Sequence, residues 1–319
     1  MSRTEFTAST GSTPRLAAAD AAVYAAIAIA AVLLNWLTRA HISFLPAIAP
    51  WEFSFVEFGS AWLFAYWYAR GLMRTPPDER PARWRSFSFF GGIALVYAVL
   101  ETRFEYLAEH QFFFNRMQNV AMHDVGPFLI ALSWPGATLA HGMPQRLVGL
   151  VKHRSVLGLL GVLQQPVIAG VLFTGLVLLW LIPPLHFRAM IDLRLYAAMN
   201  WSMAADGILF WCLVLDPRPS PPAPLPFLLR IALAGLVMIP LGFAGAIIAL
   251  AQTDLYPYYG LCGRIYPALG PLYDQALGGL VIWIPSTMMS ILGVLLVLNA
   301  LRRSEASIGI RPGRAVPSR

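Results

Sequence analysis

Long apolar segments recur along almost the whole of this 319-residue chain, and they decide which solvent surrounds it. Hydrophobic residues make up 58% of the sequence and charged residues only 12%, outside the usual range of soluble domains. A helix needs about 20 apolar residues to cross the hydrocarbon core of a bilayer. Because the runs are continuous and lack the ten-residue alternation of barrel strands, the sequence predicts an all-α polytopic membrane protein.

We predict about eight transmembrane helices that form a single helical domain over residues 18–301. The predicted crossings are residues 18–38, 52–73, 87–107, 117–140, 158–182, 193–215, 227–252 and 273–301. Tails at residues 1–17 and 302–319 flank the domain. The first apolar run lacks a signal-peptidase cleavage pattern, so we interpret it as a retained helix.

The distribution of basic residues predicts the orientation of these helices. If the N-terminus is cytoplasmic, 17 of the 23 lysines and arginines lie in cytoplasmic loops and tails, which follows the positive-inside rule. An even number of crossings then places both termini in the cytoplasm. The net charge of +7 is explained by basic loops that face an anionic leaflet, so we predict no nucleic-acid partner and a lipid bilayer as the surroundings.

Polar side chains within the membrane most often mark function, and here they gather toward the predicted outer face. Glu101, Glu105 and Glu109 recur at four-residue spacing, which we interpret as one solvated or arginine-paired helix surface. The next helix begins with the stretch RMQNVAMHDVGP, residues 116–127. Pro127 has no N–H for the carbonyl of His123, so we expect a loosened helix at that histidine.

The sixth and eighth predicted helices carry the remaining polar candidates. Asp206 lies about 21 Å along its helix from Asp192, deep in the bilayer, where a charge is costly unless it is paired or protonated. We therefore expect Asp206 to have a function or a specific partner. The complete set of functional polar candidates is Asn115, Asn119, Asp124, Asn200, Asp206, Asp274, Gln275 and Glu101.

The chemistry of these side chains leaves the ligand of the site open. Imidazole and thioether groups together favour copper, and thioether sulfur suits Cu(I), whereas carboxylates alone suit harder ions or protons. The candidate metal ligands are His123, Met117, Met122, Met199 and Met203, although methionines in a membrane core more often only pack. The residues supply no nucleophile–base pair and no metal–water site, so we do not predict an enzyme.

Four blocks of sequence point to a known family. They are APWEFSFVEFGSAWLFAYWYARG, RMQNVAMHDVGPFLIALSWPG, DGILFWCLVLDPRP, and LYPYYG followed by GPLYDQALGGLVIWIP. Together they resemble the CtaG-type cytochrome c oxidase assembly factors, and the D-Q-x-x-G-G element followed by W-x-P is the most specific of them. The family-like core covers about residues 40–301.

The resemblance implies a membrane assembly factor for a haem–copper oxidase that acts in copper-centre maturation at the outer face of a bacterial inner membrane. An oxidase subunit or other assembly proteins would be its partners. The family pattern has histidines where this chain has Asn115, Asn119 and Asn200, and asparagine is a poor Cu(I) ligand. Two alternatives therefore remain: a copper or small-cation transporter lined by Asp206, Asp124 and Asp274, and a metal-free scaffold or accessory subunit of a respiratory complex.

Overall fold

The computed structural model describes residues 14–309, and the side chains of residues 18–306, as helices joined by turns and loops. No strand occurs in that part of the chain, which confirms the all-α prediction. The helices are α1 (Pro14–Ala40), α2 (Phe55–Arg74), α3 (Arg83–Glu101), α4 (Arg103–His110), α5 (Phe112–Asn119), α6 (Gly126–Leu132), α7 (Gly136–Gly142), α8 (Gln145–Val151), α9 (Arg154–Leu163), α10 (Pro166–Leu181), α11 (Pro183–Ile191), α12 (Leu193–Val214), α13 (Phe227–Leu250), α14 (Tyr258–Cys262) and α15 (Pro271–Gly309).

Several of these helices have the length and composition of membrane spans. Over the described residues, four helices can cross a bilayer alone, and the number rises to six if two bent pairs each form one span. The bent pairs are α3 with α4, at 57°, and α9 with α10, at 72°. Of the predicted tails at residues 1–17 and 302–319, residues 1–13 and 310–319 lie outside the described residues. Residues 14–17 already belong to α1, and residues 302–309 continue α15 as helix.

Proline explains the bend between α9 and α10, where the sequence predicts one crossing. Pro166 occupies the first turn of α10, and its ring restricts the preceding residue to extended backbone. Gln165 adopts that conformation, with φ −64° and ψ 130°, and its side chain accepts a hydrogen bond from the N–H of Ile168. The new helix is therefore capped as it begins in a new direction.

The predicted glutamate surface is wrong, because the helix breaks inside it. Thr102 is extended, at φ −94° and ψ −177°, and its hydroxyl caps the start of α4 by accepting the N–H of Phe104. Glu101 is fully buried, and its Oε1 accepts the N–H groups of Ser54 and Phe58 at 3.2 and 3.0 Å. Glu101 therefore holds the first turn of α2 against the end of α3 instead of facing solvent.

Glu101 gives a stability prediction. We expect Glu101→Ala to lower the free energy of unfolding by about 1–3 kcal/mol, because the N–H groups of Ser54 and Phe58 lose their acceptor. Glu101→Gln keeps an acceptor oxygen and should lose clearly less. Thermal unfolding of the detergent-solubilised full chain measures the difference, and equal losses for alanine and glutamine would contradict the capping role.

Glycines allow the closest helix contacts in the bundle. A Cβ on Gly279 of α15 would lie 2.6 Å from the carbonyl oxygen of Gly245 and 2.5 Å from the backbone nitrogen of Ala249, both in α13. No side chain fits there, so α13 and α15 pack backbone to backbone. This pairing fixes the position of Asp274 and Gln275 at the start of α15.

The proline-rich link between α12 and α13 folds onto the bundle. Arg230 of α13 is fully buried and donates to the carbonyls of Asp216, Arg218 and Leu225, so it ties the link to the helix that follows. Leu225 is itself buried. The link therefore forms a wall at this end of the bundle, where it closes one side of a pocket.

Candidate functional site

His123 and Asp206 form a buried pair that joins the fourth predicted crossing to α12. The Nε2 atom of His123 lies 3.4 Å from Oδ2 of Asp206, and the two residues are 1% and 8% exposed. The imidazole also stacks on Phe173 of α10, with ring centroids 4.2 Å apart. Asp206 thus has the specific partner that its depth in the membrane requires.

The local sequence explains why this histidine lies where three helices meet. Residues Val120–Val125 form a single π-helical turn between α5 and α6, and the N–H of Gly126 bonds to the carbonyl of Ala121, five residues back. Pro127 cannot donate to the carbonyl of His123, which confirms the predicted loosening at this point. A Cβ on Gly207 of α12 would overlap that carbonyl oxygen, so only glycine lets α12 approach.

A small cavity lies beside the pair, in the middle of the helix bundle. Its volume is about 20 Å³, enough for one atom the size of a water molecule. The lining residues are Arg116, Asn119, Val120, His123, Asp124, Val177, Met203, Ile282 and Ser286. Asp124 accepts a hydrogen bond from Ser286 at 2.9 Å, whereas Nδ1 of His123 and Oδ1 of Asn119 are buried without a protein partner.

Arg116, the first residue of the stretch RMQNVAMHDVGP, is a fully buried cation. Its guanidinium donates to Oδ1 of Asn115 and lies 4.9 Å from the ring centre of Phe112, while its Nε has no partner. Asn119 donates to the same Asn115 oxygen at 3.3 Å. Asn115 and Asn119, which stand where the resemblance implies histidines, thus form a hydrogen-bond network around Arg116.

The candidate thioether ligands do not converge on His123. Met203 lines the cavity beside the imidazole, whereas Met122 and Met199 are fully buried in the apolar core and do not line it. Met117 lies on the exterior of the bundle, 38% exposed, because it points away from the face that carries His123. Met203 is therefore the one predicted thioether that shares a cavity with the predicted imidazole.

Asn200 faces a different space from His123. It is buried and lines a neighbouring cavity of about 100 Å³ together with Glu57 and Pro127. Among the residues with described side chains, no three His, Cys, Asp or Glu groups converge on a metal position. One imidazole and one thioether do not make a copper site, so this cluster does not fit a resident copper ion.

Asp274 and Gln275 bind backbone groups and hold three chain segments together. Asp274 is fully buried, accepts the N–H groups of Phe112 and Phe113 at 3.1 and 2.9 Å, and pairs with Arg264. Gln275 accepts the N–H of Leu255 at 2.8 Å, and its amide nitrogen donates to two carbonyls at the end of α13 and just after it. The pair therefore joins the starts of α5 and α15 to the loop after α13.

The carboxylates predicted to line a cation path each have another partner. Asp206 faces His123, Asp124 accepts from Ser286, and Asp274 pairs with Arg264 near the start of α5. Only Asp124 borders the small central cavity. The three carboxylates therefore do not converge on one path through the described part of the bundle.

His186 and Tyr259 form a buried pair that the sequence reading missed. Nε2 of His186 lies 2.9 Å from the hydroxyl of Tyr259, 73 positions further along the chain, and both residues are buried. Burial, reinforced by the nearby charge of Arg116, holds the pKa of His186 well below its usual range. The only hint in the sequence is the aromatic run that contains Tyr259, which gives no sign of its partner.

The low pKa of His186 predicts an acid-sensitive fold. Residues of α11 lie between the predicted fifth and sixth crossings, so His186 is outside the membrane spans. Below about pH 6.5 the unfolded histidine binds a proton that the folded one excludes, so stability is fully present above that pH and falls as the pH decreases. We expect a loss of up to about 1.4 kcal/mol per pH unit.

Unfolding of the purified chain at pH 7.5 and pH 5.5 measures this effect. His186→Gln should flatten the pH dependence, whereas His153→Gln, at an exposed histidine, should leave it unchanged. An identical pH dependence in the wild type and His186→Gln would contradict the assignment.

An open pocket of about 600 Å³ lies at the predicted outer end of the bundle. Charged residues of both signs line it, namely Glu52, Glu57, Glu105, Arg39 and Arg194. Tyr196 also lines the pocket, and its hydroxyl donates to Oε1 of Gln118 at 3.0 Å. Gln118 lies in α5, and α5 continues into the π turn that carries His123. Tyr196 in the pocket wall is therefore hydrogen-bonded to the helix that leads to His123.

Comparison with known proteins identifies the family. A model of the family described as cytochrome c oxidase caa3 assembly factor matches residues 64–304, well over half of the chain. The chain belongs to this family. The match confirms the resemblance drawn from the four sequence blocks and makes the protein a cytochrome c oxidase assembly factor.

The matched region of this caa3 assembly factor contains both the central cluster and the Asp274–Gln275 joint. It begins within α2, so α1 and the glutamate and arginine residues Glu52, Glu57 and Arg39 of the outer pocket precede it. No curated protein and no solved structure matches the chain.

Proposed function

We propose that this assembly factor acts in maturation of the oxidase copper centre, at the outer face of a bacterial plasma membrane, by binding a subunit of the nascent oxidase. The observation that carries the proposal is the open outer pocket and its connection through Tyr196 and Gln118 to the helix of His123. A partner bound in the pocket is therefore connected through these two residues to the centre of the bundle.

The lining of the outer pocket fits a charged polypeptide segment. Its volume of about 600 Å³ holds several side chains, and glutamates and arginines at its wall can pair with both signs of charge on a partner. Glu52 and Arg194 are exposed and form no ion pair with any described residue. Both are therefore free to select a partner by charge.

Copper enters this proposal as cargo that a partner holds. The central cavity offers one imidazole and one thioether, His123 and Met203, so the described residues around it do not complete a soft-ligand set. We expect the purified full-length chain, incubated with Cu(I) and desalted, to retain well under one ion per chain, with no change in His123→Ala. One ion per chain that disappears in His123→Ala would instead make the bundle the copper carrier.

A charge reversal in the outer pocket tests the partner role. The double variant Glu52→Lys with Arg194→Glu should lose co-purification of an oxidase subunit from native membranes. The control is Arg146→Glu, at an exposed arginine of α8 on the predicted cytoplasmic side, and this variant should co-purify normally. If the double variant captures the oxidase as well as the wild type does, the pocket is not the binding site.

A further inference from the structure

A second large pocket lies at the opposite end of the bundle from the glutamates. It has a volume of about 590 Å³ and is formed where α3 begins, where α6 and α12 end, and where α15 leaves the bundle. The folded proline-rich link supplies one wall through Asp216, Pro217 and Pro219. This is the end at which most of the basic residues are predicted, so it faces the anionic leaflet in the predicted orientation.

Two arginines give the inner pocket a net positive charge. Arg85 and Arg303 both line it, and neither forms an ion pair with any described residue. The acidic group in the lining, Asp216, is already bound to Arg218 through contacts of 2.9 and 2.7 Å. The guanidinium of Arg85 lies 5.4 Å from the ring centre of Trp84, but neither arginine has a carboxylate partner among the described residues. Both are therefore available to an anion, for which arginine offers paired donors.

Two tryptophans place the pocket at the level of the lipid headgroups. Trp84 is 51% exposed, and Trp134 lies in the pocket wall with the guanidinium of Arg218 5.0 Å from its ring centre. Tryptophan concentrates at membrane–water interfaces, where one face of the ring meets apolar chains and the other meets water.

Trp134 also has a backbone conformation that a bulky residue adopts at a cost. Its φ is +53°, in the left-handed region, just after the end of α6, where glycine is the usual residue. Such outliers persist where the surrounding structure requires the side chain. The indole of Trp134 is thus placed in the pocket wall despite the strain.

The inner pocket has one apolar side. Leu132, Leu296 and Val297 line this side. Leu296 precedes Arg303 by two turns of α15, so a ligand that extends along this helix would meet a cation near the helix end and apolar side chains about 10 Å deeper in the bundle. A free inorganic phosphate has no apolar part to cover Leu132, Leu296 and Val297, whereas an anionic phospholipid has both a phosphate and acyl chains.

We propose that the inner pocket binds an anionic phospholipid, with its phosphate between Arg85 and Arg303, its glycerol region against Trp134, and its acyl chains against Leu132 and Leu296. The site is separate from the outer pocket and does not depend on the function proposed there. A lipid bound in this pocket contacts the ends of four helices, so its binding stabilises the arrangement of these helices.

Native mass spectrometry of the delipidated full-length chain, titrated with phosphatidylglycerol or phosphatidylcholine, tests this site. We expect preferential retention of one phosphatidylglycerol, weakened about fivefold by Arg85→Gln or Arg303→Gln and more by both together. The matched control is Arg146→Gln, which removes the same charge from an exposed position outside the pocket and should change retention less than twofold.

Two further experiments distinguish a bound phospholipid from a bound soluble phosphate and test the role of Trp134. Glycerol phosphate in large excess should not displace the lipid, and displacement would show that the pocket takes a soluble phosphate instead. Trp134→Gly suits the left-handed backbone and should keep the fold while it weakens retention. Retention unchanged in the double arginine variant, or equal for both lipids, would overturn the proposal.

Discussion

Asp274→Ala should be the most destabilising of the substitutions proposed for this chain, with a loss of about 3–5 kcal/mol in the free energy of unfolding. The substitution leaves Arg264, a guanidinium whose side chain is 9% exposed, without its carboxylate. It also removes the acceptor for the N–H groups of Phe112 and Phe113 at the start of α5. The unpaired buried charge and the unpaired buried donors both lower the free energy of unfolding.

Thermal unfolding of the detergent-solubilised chain checks this prediction against a matched substitution. Asp78→Ala, at an exposed position in a loop, should change stability by less than about 0.5 kcal/mol. Adding Arg264→Met to Asp274→Ala should recover part of the loss, because the orphaned cation disappears. A double variant that loses the sum of the two single effects would contradict the ion-pair explanation.

Gly207→Ala should produce the second largest effect, a loss of about 2–3 kcal/mol together with reduced assembly activity. The new methyl group overlaps the carbonyl oxygen of His123, so α12 must move away from the π turn. That movement separates His123 from Asp206, and the buried polar pair loses its geometry. The added methyl group therefore accounts for both the loss of stability and the reduced assembly activity.

A second glycine provides the control for this substitution. A Cβ on Gly175, in α10, meets no atom within 4 Å, so Gly175→Ala should be neutral or slightly stabilising through its higher helix propensity. Unfolding measurements on both variants, with oxidase activity in cells that carry each one, give the comparison. Equal stability of the two variants would contradict the close contact of α12 with the π turn.

The features that the sequence predicts correctly are those set by local covalent chemistry or by the cost of a buried charge. Proline at position 127 removes a donor four residues after His123, and the helix responds with a π turn at that point. Asp206 has a partner because an unpaired carboxylate at that depth is too costly.

The features that the sequence does not predict depend on contacts between distant segments. The break at Thr102 lies inside a run with continuous helical spacing, so Glu101 and Glu105 separate although their spacing places them on one face. His186 meets Tyr259 only through the packing of α11 against the loop after α13. Met117 points to the exterior of the bundle and Met203 points into the central cavity, because they lie on different faces of their helices. Their residue type alone, a methionine within a predicted span, does not distinguish the two.

The most specific family signature in the chain proves to be a structural joint. Asp274 and Gln275 bind backbone groups and one arginine, so their chemistry maintains the start of α5 and the loop after α13. This joint positions α5, and α5 in turn leads into the π turn with His123. Asp274 and Gln275 therefore maintain the position of the site without lining its cavity.

The activity of the haem–copper oxidase in a strain that lacks this gene tests the central claim most directly. Membranes of the deletion strain should show low oxidase activity and a low copper content of the purified oxidase. The wild-type gene should restore both, whereas the outer-pocket variant Glu52→Lys with Arg194→Glu should restore neither. A deletion strain with normal oxidase spectrum, activity and copper content would contradict the role of this chain in oxidase assembly.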